Sequence, residues 1–189
     1  MPVWRADFYA CITGCGDVKL RTHIVFSFVV GYGLLRLLGA GIRCGVVVSV
    51  ATSVAVNLIV DAGHAVRGRL RVRSYLTHSP AGIWVPLLVS LLPYVLARWT
   101  GLGVSVGPAL LLAAGFASFA SHLALDMLTE SGVYLTPRKR VALAHFRYDG
   151  LADTVFFAVS VILAALIMGA DVLGNVRGVI TWLWGVVGG

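Results

Sequence analysis

Five stretches of the chain carry no Asp, Glu, Lys or Arg: residues 22–35, 44–60, 74–97, 99–125 and 154–170. A helix needs roughly 20 apolar residues to cross a bilayer, with ~17 as a floor. The third, fourth and fifth stretches clear that length once their flanks are added. The first continues its apolar pattern past Arg36 to Leu38, and the second stands near the floor. Backbone amides in hydrocarbon find partners only inside a helix or a closed barrel, so runs of this length predict helices. The tail, residues 176–189 (VRGVITWLWGVVGG), is short, and its two Trp residues suit a membrane interface; it reads as an interfacial helix or a sixth span. The expected fold is an all-α, polytopic transmembrane helical bundle of five spans, with six as the alternative, in which residues 1–189 form one membrane domain.

Composition excludes the common alternatives. The 189 residues are 59% hydrophobic and 12% charged, with a mean hydropathy of +0.91. An ordinary soluble domain is about 25% charged. A disordered chain, a fibrous repeat and a typical cytosolic enzyme are therefore excluded, and a lipid bilayer must cover part of the surface. The net charge is +7. No basic face interleaved with aromatics accompanies it, so the charge reads as loops meeting anionic head groups rather than as a specific nucleic-acid surface. Three cysteines, Cys11, Cys15 and Cys44, fit no disulfide framework. The first residues lack an apolar core ahead of their charges, so no signal peptide is expected. No pattern assigns an oligomeric state.

Positive charge alternates from loop to loop. Arg5, Lys19 and Arg21 precede span one, Arg67, Arg69, Arg71 and Arg73 lie between spans two and three, and Arg138, Lys139, Arg140 and Arg147 lie between four and five. The alternate loops hold only Arg36, Arg43, Arg98 and Arg177. The positive-inside bias puts the N-terminus in the cytoplasm of a multi-pass protein of the cell membrane. Residues 1–21 become a cytoplasmic segment, and residues 61–79 and 126–150 become cytoplasmic loops. Broken or re-entrant helices are an option near residues 61–80, where the chain is polar and contains glycine.

On this topology all five histidines fall at cytoplasmic ends. His23 opens span one. Asn57 and Asp61 close span two and His64 follows; His78 precedes span three; His122 and Asp126 close span four; His145, Asp149 and Asp153 lead into span five. Ionisable groups at a membrane edge are costly and are functional candidates. His122 and Asp126 are four apart and share one helical face, as do His145, Asp149 and Asp153. Ala114 and Ser118 extend the His122 face with small side chains that let a neighbouring helix approach. Imidazole and carboxylate are ligands for zinc or manganese, and a shared cation also explains several carboxylates in one cavity. Plain structural roles stand beside this reading: His23 as a helix-end hydrogen-bonder, Asp61 as a cap or Arg partner, His78 in a turn, His145 at the interface, and Asp153 as a charge on a helix N-terminus. His122 with Asp126 resists such an account, since burying both is costly unless something pairs them.

The blocks NLIVDAGH, YLTHS, GFASFASHLALDMLTESGVYLTP and RKRVALAHFRYD resemble a family of membrane-bound metal-dependent hydrolases, in an archaeal branch. The resemblance runs from about His23 to Asp153, and the block from Ser121 to Gly132 is its most specific part. The family is remotely similar to zinc-dependent phospholipase C and single-strand nucleases. By position, Asp61 and His64 match the family's first block, His78 its second, and His122 and Asp126 its third. Gly63 stands where many relatives have a second Asp, and Ser74 where many have Arg. The first departure removes one ligand, for which His145, Asp149 or Asp153 is a hypothetical substitute.

The resemblance implies a hydrolase acting on a phosphoester, with a lipid-linked substrate suggested by the membrane boundary. It takes a divalent metal, zinc first and manganese or magnesium as alternatives. His64, His78, His122, Asp126, His145, Asp153 and His23 are the expected ligand pool. Asp61 and Asp149 are the candidate general bases, and Arg73, Arg138 and Arg140 are the candidate phosphate holders. Three rivals stand beside it: a non-catalytic metal-stabilised scaffold or interaction protein, an ion transporter, and a metal-free phosphatase with a His nucleophile. No HExxH, Walker loop, GxSxG or Rossmann glycine pattern occurs.

Overall fold

The computed structural model describes residues 18–63, 65–67, 70–101, 106–144 and 150–187. Five helices follow the charge-free runs: α1 (Leu20–Leu37), α2 (Ile42–Ala62), α3 (Trp84–Trp99), α4 (Pro108–Met127) and α5 (Gly150–Val187). Each is long and apolar enough to cross a membrane, α3 together with the 3-10 turn Pro80–Ile83 that leads into it. The architecture is an all-α helical bundle, as the charge-free runs predict.

The helices start and stop for local reasons. α1 ends at Gly39, whose φ of +82° is the left-handed conformation that closes a helix C-terminus. The Ala40 amide then donates back to Leu35 O at 2.9 Å, and α2 starts within a few residues. So short a connection makes α1 and α2 an antiparallel pair. Pro108 opens α4, at the position where its missing N–H loses no bond.

α1 and α4 form the centre, each packed against the other and against α2. α3 lies on α4 and α2, and α5 lies along α1. Two apolar layers seal the bundle. Leu35, Ala40, Val48 and Ala114 form one, and Val56, Val60, Val85 and Phe119 the other. Between α1 and α4 the contact is polar and close: Ser121 Oγ donates to Ser27 Oγ at 2.8 Å, and Ser27 Oγ donates to Ser118 O at 3.2 Å. Small residues and hydroxyl bonds of this kind hold helices together where lipid removes the hydrophobic drive. Ala114 and Ser118, the small residues of the His122 face, are fully buried there.

The extramembrane segments differ from the expected loops and broken helices. They contain two short antiparallel hairpins, β1 (Ala65–Arg67) with β2 (Leu70–Val72), and β3 (Val133–Thr136) with β4 (Lys139–Val141). Strand pairing satisfies backbone groups that these segments cannot bond within a helix. The tail is neither a sixth span nor a separate interfacial helix, because α5 runs unbroken for 38 residues. That is about 57 Å of helix, against a hydrocarbon core of about 30 Å.

α5 is fastened to α1 at two points. Asp153 accepts bonds from Thr22 Oγ1 (2.7 Å), the Lys19 amide (3.0 Å) and Arg21 Nη2 (3.1 Å). Asp171 accepts from Tyr32 Oη (2.5 Å), Arg36 Nε (2.8 Å) and Arg36 Nη2 (2.8 Å). The two acids are about five helical turns apart, so they share a face, and their separation of about 27 Å matches the bilayer core. Replacing Asp153 by Leu strands the buried Thr22 hydroxyl, an expected loss of about 1–3 kcal/mol. Thermal unfolding in detergent should show a lower midpoint for Asp153→Leu than for Asp153→Asn, which keeps an acceptor. Equal midpoints would remove the role given to this bond.

Candidate metal centre

Four segments deliver ionisable side chains to one end of the bundle. His23 lies in the first turn of α1, Asp61 in the last turn of α2, His78 in the turn before α3, and His122 and Asp126 in the last two turns of α4. The alternating direction of the helices makes these positions meet. All but Asp61 are fully buried, and the Asp61 side chain is 22% exposed.

The distances form a consistent set. Asp126 Oδ2 lies 3.4 Å from His122 Nε2 and 3.7 Å from His78 Nε2. Asp126 Oδ1 lies 3.5 Å from His23 Nε2, and Asp61 Oδ1 lies 3.7 Å from His122 Nε2. Two groups have ligand atoms within 4.8 Å of one another, His23–His122–Asp126 and Asp61–His78–His122, and His122 belongs to both. His23 stacks on His122 with ring centroids 3.9 Å apart.

The cluster is held from outside. Arg73 Nη2 donates to Asp126 Oδ1 at 2.8 Å, and Arg73 Nη1 donates to Gly132 O at 2.7 Å and Thr129 Oγ1 at 3.3 Å. Thr129 Oγ1 in turn donates to Asp126 O at 2.7 Å. His78 Nδ1 lies 2.9 Å from Thr77 Oγ1, and His122 Nδ1 lies 2.6 Å from Asn57 Oδ1. Within the cluster, three buried polar atoms, His122 Nε2, Asp126 Oδ2 and His23 Nδ1, have no hydrogen-bond partner among the described residues. Stranding such atoms in a water-free site is costly. Two of the three face each other across the centre of the cluster.

Two of the expected site residues are engaged elsewhere. Arg73, expected to hold a phosphate, is buried and spent on Asp126, Thr129 and Gly132. Asp153, expected in the ligand pool, stands apart with its oxygens committed to α1 and Lys19. Arg138 lies in the exposed turn of the β3–β4 hairpin. The Arg140 guanidinium lies over the Tyr134 ring at 4.3 Å and donates to its hydroxyl. The hairpin is tied to the cluster through the backbone, where the Tyr134 amide donates to His78 O at 2.9 Å. His64, His145 and Asp149 lie outside the described residues.

Asn57, Thr77 and Thr129 were not singled out as site residues in the sequence. The signal for Asn57 is its position, one helical turn before Asp61 on the same face. The Arg36–Asp171 pair at the other end was also missed, because Arg36 read as an ordinary loop charge.

Gly63 stands at a close approach of two segments. A Cβ there would stand 2.5 Å from both Cγ2 and Oγ1 of Thr77. The end of α2 therefore presses directly on the residue beside His78. Gly63→Ala should cost about 1–3 kcal/mol by overpacking, measured as a lower unfolding midpoint; wild-type stability would overturn this account.

No protein-family model, curated protein or solved structure matches the chain.

Proposed function

We propose that the chain is a membrane-embedded metal-dependent hydrolase, of the kind its sequence blocks resemble, acting on a phosphoester or lipid-linked substrate at the cytoplasmic membrane surface. The observation that carries this reading is the spacing of Asp126, His122 and His78. A charge-assisted N–H···O bond between imidazole and carboxylate contracts to about 2.7–2.9 Å. Ligands on one tetrahedral ion with bonds of about 2.0–2.2 Å stand about 3.3–3.6 Å apart. The separation of 3.4 Å between His122 and Asp126 falls in the second range, and that of 3.7 Å between His78 and Asp126 lies just beyond it, far from the first. The atoms left without partners, His122 Nε2 and Asp126 Oδ2, are the ones this pattern uses. Mixed imidazole and carboxylate donors favour zinc, then manganese, over magnesium.

Such an ion, when bound, polarises a phosphoryl or carbonyl oxygen and acidifies water. The chain's own residues supply the rest. Asp61 is the cluster member open to solvent and is placed to take the proton of an attacking water. Arg73 turns Asp126 so that Oδ2 faces the imidazoles. Arg138 and Arg140, exposed on the hairpin tied to His78, are cations suited to a phosphate. The cytoplasmic orientation rests on the loop-charge asymmetry.

The burial of His23, His78, His122 and Asp126 also favours a second reading, a closed structural metal site in a scaffold protein. Metal analysis and hydrolysis assays separate the two. Purified wild type should carry about one ion per chain or more. His122→Ala should lose it, and Asp153→Asn should retain it. Asp61→Asn should keep most of the metal while hydrolysis of phosphate ester substrates falls about 10²–10⁴-fold. Full metal without hydrolysis of any phosphoester supports the scaffold. Equal, trivial metal in wild type and His122→Ala defeats both.

A further inference from the structure

The amide of Asn57 is fully buried on α2, one turn before Asp61. Its Nδ2 donates to Ser53 O at 2.6 Å, the carbonyl one turn back. That bond decides which way the amide faces. With the NH₂ committed to Ser53 O, the oxygen turns toward α4, where it meets His122 Nδ1 at 2.6 Å. Reversing the amide would set its oxygen against the Ser53 carbonyl, two acceptors at hydrogen-bond distance. An amide oxygen only accepts, so Nδ1 of His122 must be the donor. A neutral imidazole has one N–H, and the lone pair is therefore on Nε2. That nitrogen lies 3.4 Å from Asp126 Oδ2 and 3.7 Å from Asp61 Oδ1.

The partner of His78 imposes no such choice. Its Nδ1 meets the Thr77 hydroxyl, which can donate or accept. The Asn57 amide, by contrast, fixes the tautomer of His122. We propose that Asn57 is a positioning residue: through Ser53 O it sets His122 in the Nδ1–H form and presents an unprotonated Nε2 to the shared corner of both candidate ligand groups. Its consequence for metal binding rests on the metal-centre reading, whereas the tautomer itself does not.

The test uses the full chain in detergent with ¹⁵N-labelled histidine. The His122 ring signals are identified by their loss in His122→Gln. In metal-free wild type the ring should be the Nδ1–H tautomer. Asn57→Leu should shift it toward Nε2–H or a mixture, and zinc affinity, read by competition with a chromophoric chelator, should fall about 10–100-fold. Asn57→Asp keeps an acceptor for Nδ1–H but loses the donor to Ser53 O, so it should keep the tautomer at a lower unfolding midpoint and hold zinc more tightly than Asn57→Leu. A purely structural Asn57 would lower stability in both variants and leave the tautomer unmoved. Nε2–H in the wild type, or a zinc affinity in Asn57→Leu equal to wild type, overturns the proposal. So does an Asn57→Asp protein as weak in zinc as Asn57→Leu. If Asn57→Leu does not fold, the wild-type tautomer and Asn57→Asp still decide. A wild type that binds no zinc but has the Nδ1–H ring defeats the metal reading and leaves the positioning role standing.

Discussion

Asp126 is a carboxylate buried from solvent at the end of a membrane-spanning helix, a costly placement, and much of the extramembrane architecture around it offsets that cost. Removing a charge from water costs several kcal/mol even after relaxation, and only close, well-bonded partners offset it. Arg73 supplies the charge for Asp126, but Arg73 is buried too, so its other donors need acceptors. They find them in Thr129 and Gly132, on the segment that follows Asp126. Thr129 bonds back to the Asp126 carbonyl and accepts from the Gly132 amide. β3 starts at the next residue and bonds to the His78 carbonyl. One buried charge thus couples the segment after β2, the end of α4 and the β3–β4 hairpin, and the hairpin meets the turn that carries His78.

The spans were legible because hydrocarbon tolerates few charges, and charge-free runs are visible by inspection. Their edges were less so. The run 74–97 begins with a turn and a 3-10 segment, and the helix proper starts only at Trp84. In the run 99–125 the helix proper starts only at Pro108. Absence of charge marks where lipid is tolerated, but not where a chain turns; Ser79–Pro80 and Gly107–Pro108 mark that instead. The hairpins were illegible because their strands are three or four residues long, too short for an alternating hydrophobic pattern to show. The tail read as a separate element because it is short and carries two Trp residues, but the exposed Arg177 ahead of it does not end the helix.

At the site, the i,i+4 spacing of His122 and Asp126 was the strong signal, and both are now in one cluster with His23, His78 and Asp61. That His23 comes so close, stacked on His122, depends on α1 packing against α4 through Ser27, Ser118 and Ser121. Helix-to-helix registry of this kind leaves no trace in spacing along one segment. The same limit explains Asp153. It shares the membrane edge with the histidines, but its neighbours are Thr22 and Arg21, on α1 beside His23 rather than around Asp126. Position along the membrane normal was readable; position around the bundle was not.

The distribution of polar groups bears on what the bundle can do. At one end stand His23, Asp61, His78, His122 and Asp126; toward the other, Tyr32, Arg36 and Asp171. Between His23 and Arg36 on α1, between Arg43 and Asp61 on α2 and along α4 before His122, no Asp, Glu, His, Lys or Arg occurs. The serines in that interval include Ser27 and Ser121, which bond to each other and to the Ser118 carbonyl. Leu35, Val48 and Ala114 close the bundle beyond them. A relay of protons or ions across the membrane needs ionisable groups or a wet path at mid-depth, and this arrangement offers an apolar seal there. Chemistry at a single surface needs access from one side only, and Asp61 is the cluster residue that reaches it. The concentration of ligand-type side chains at one end therefore favours a surface reaction or a structural ion over transport.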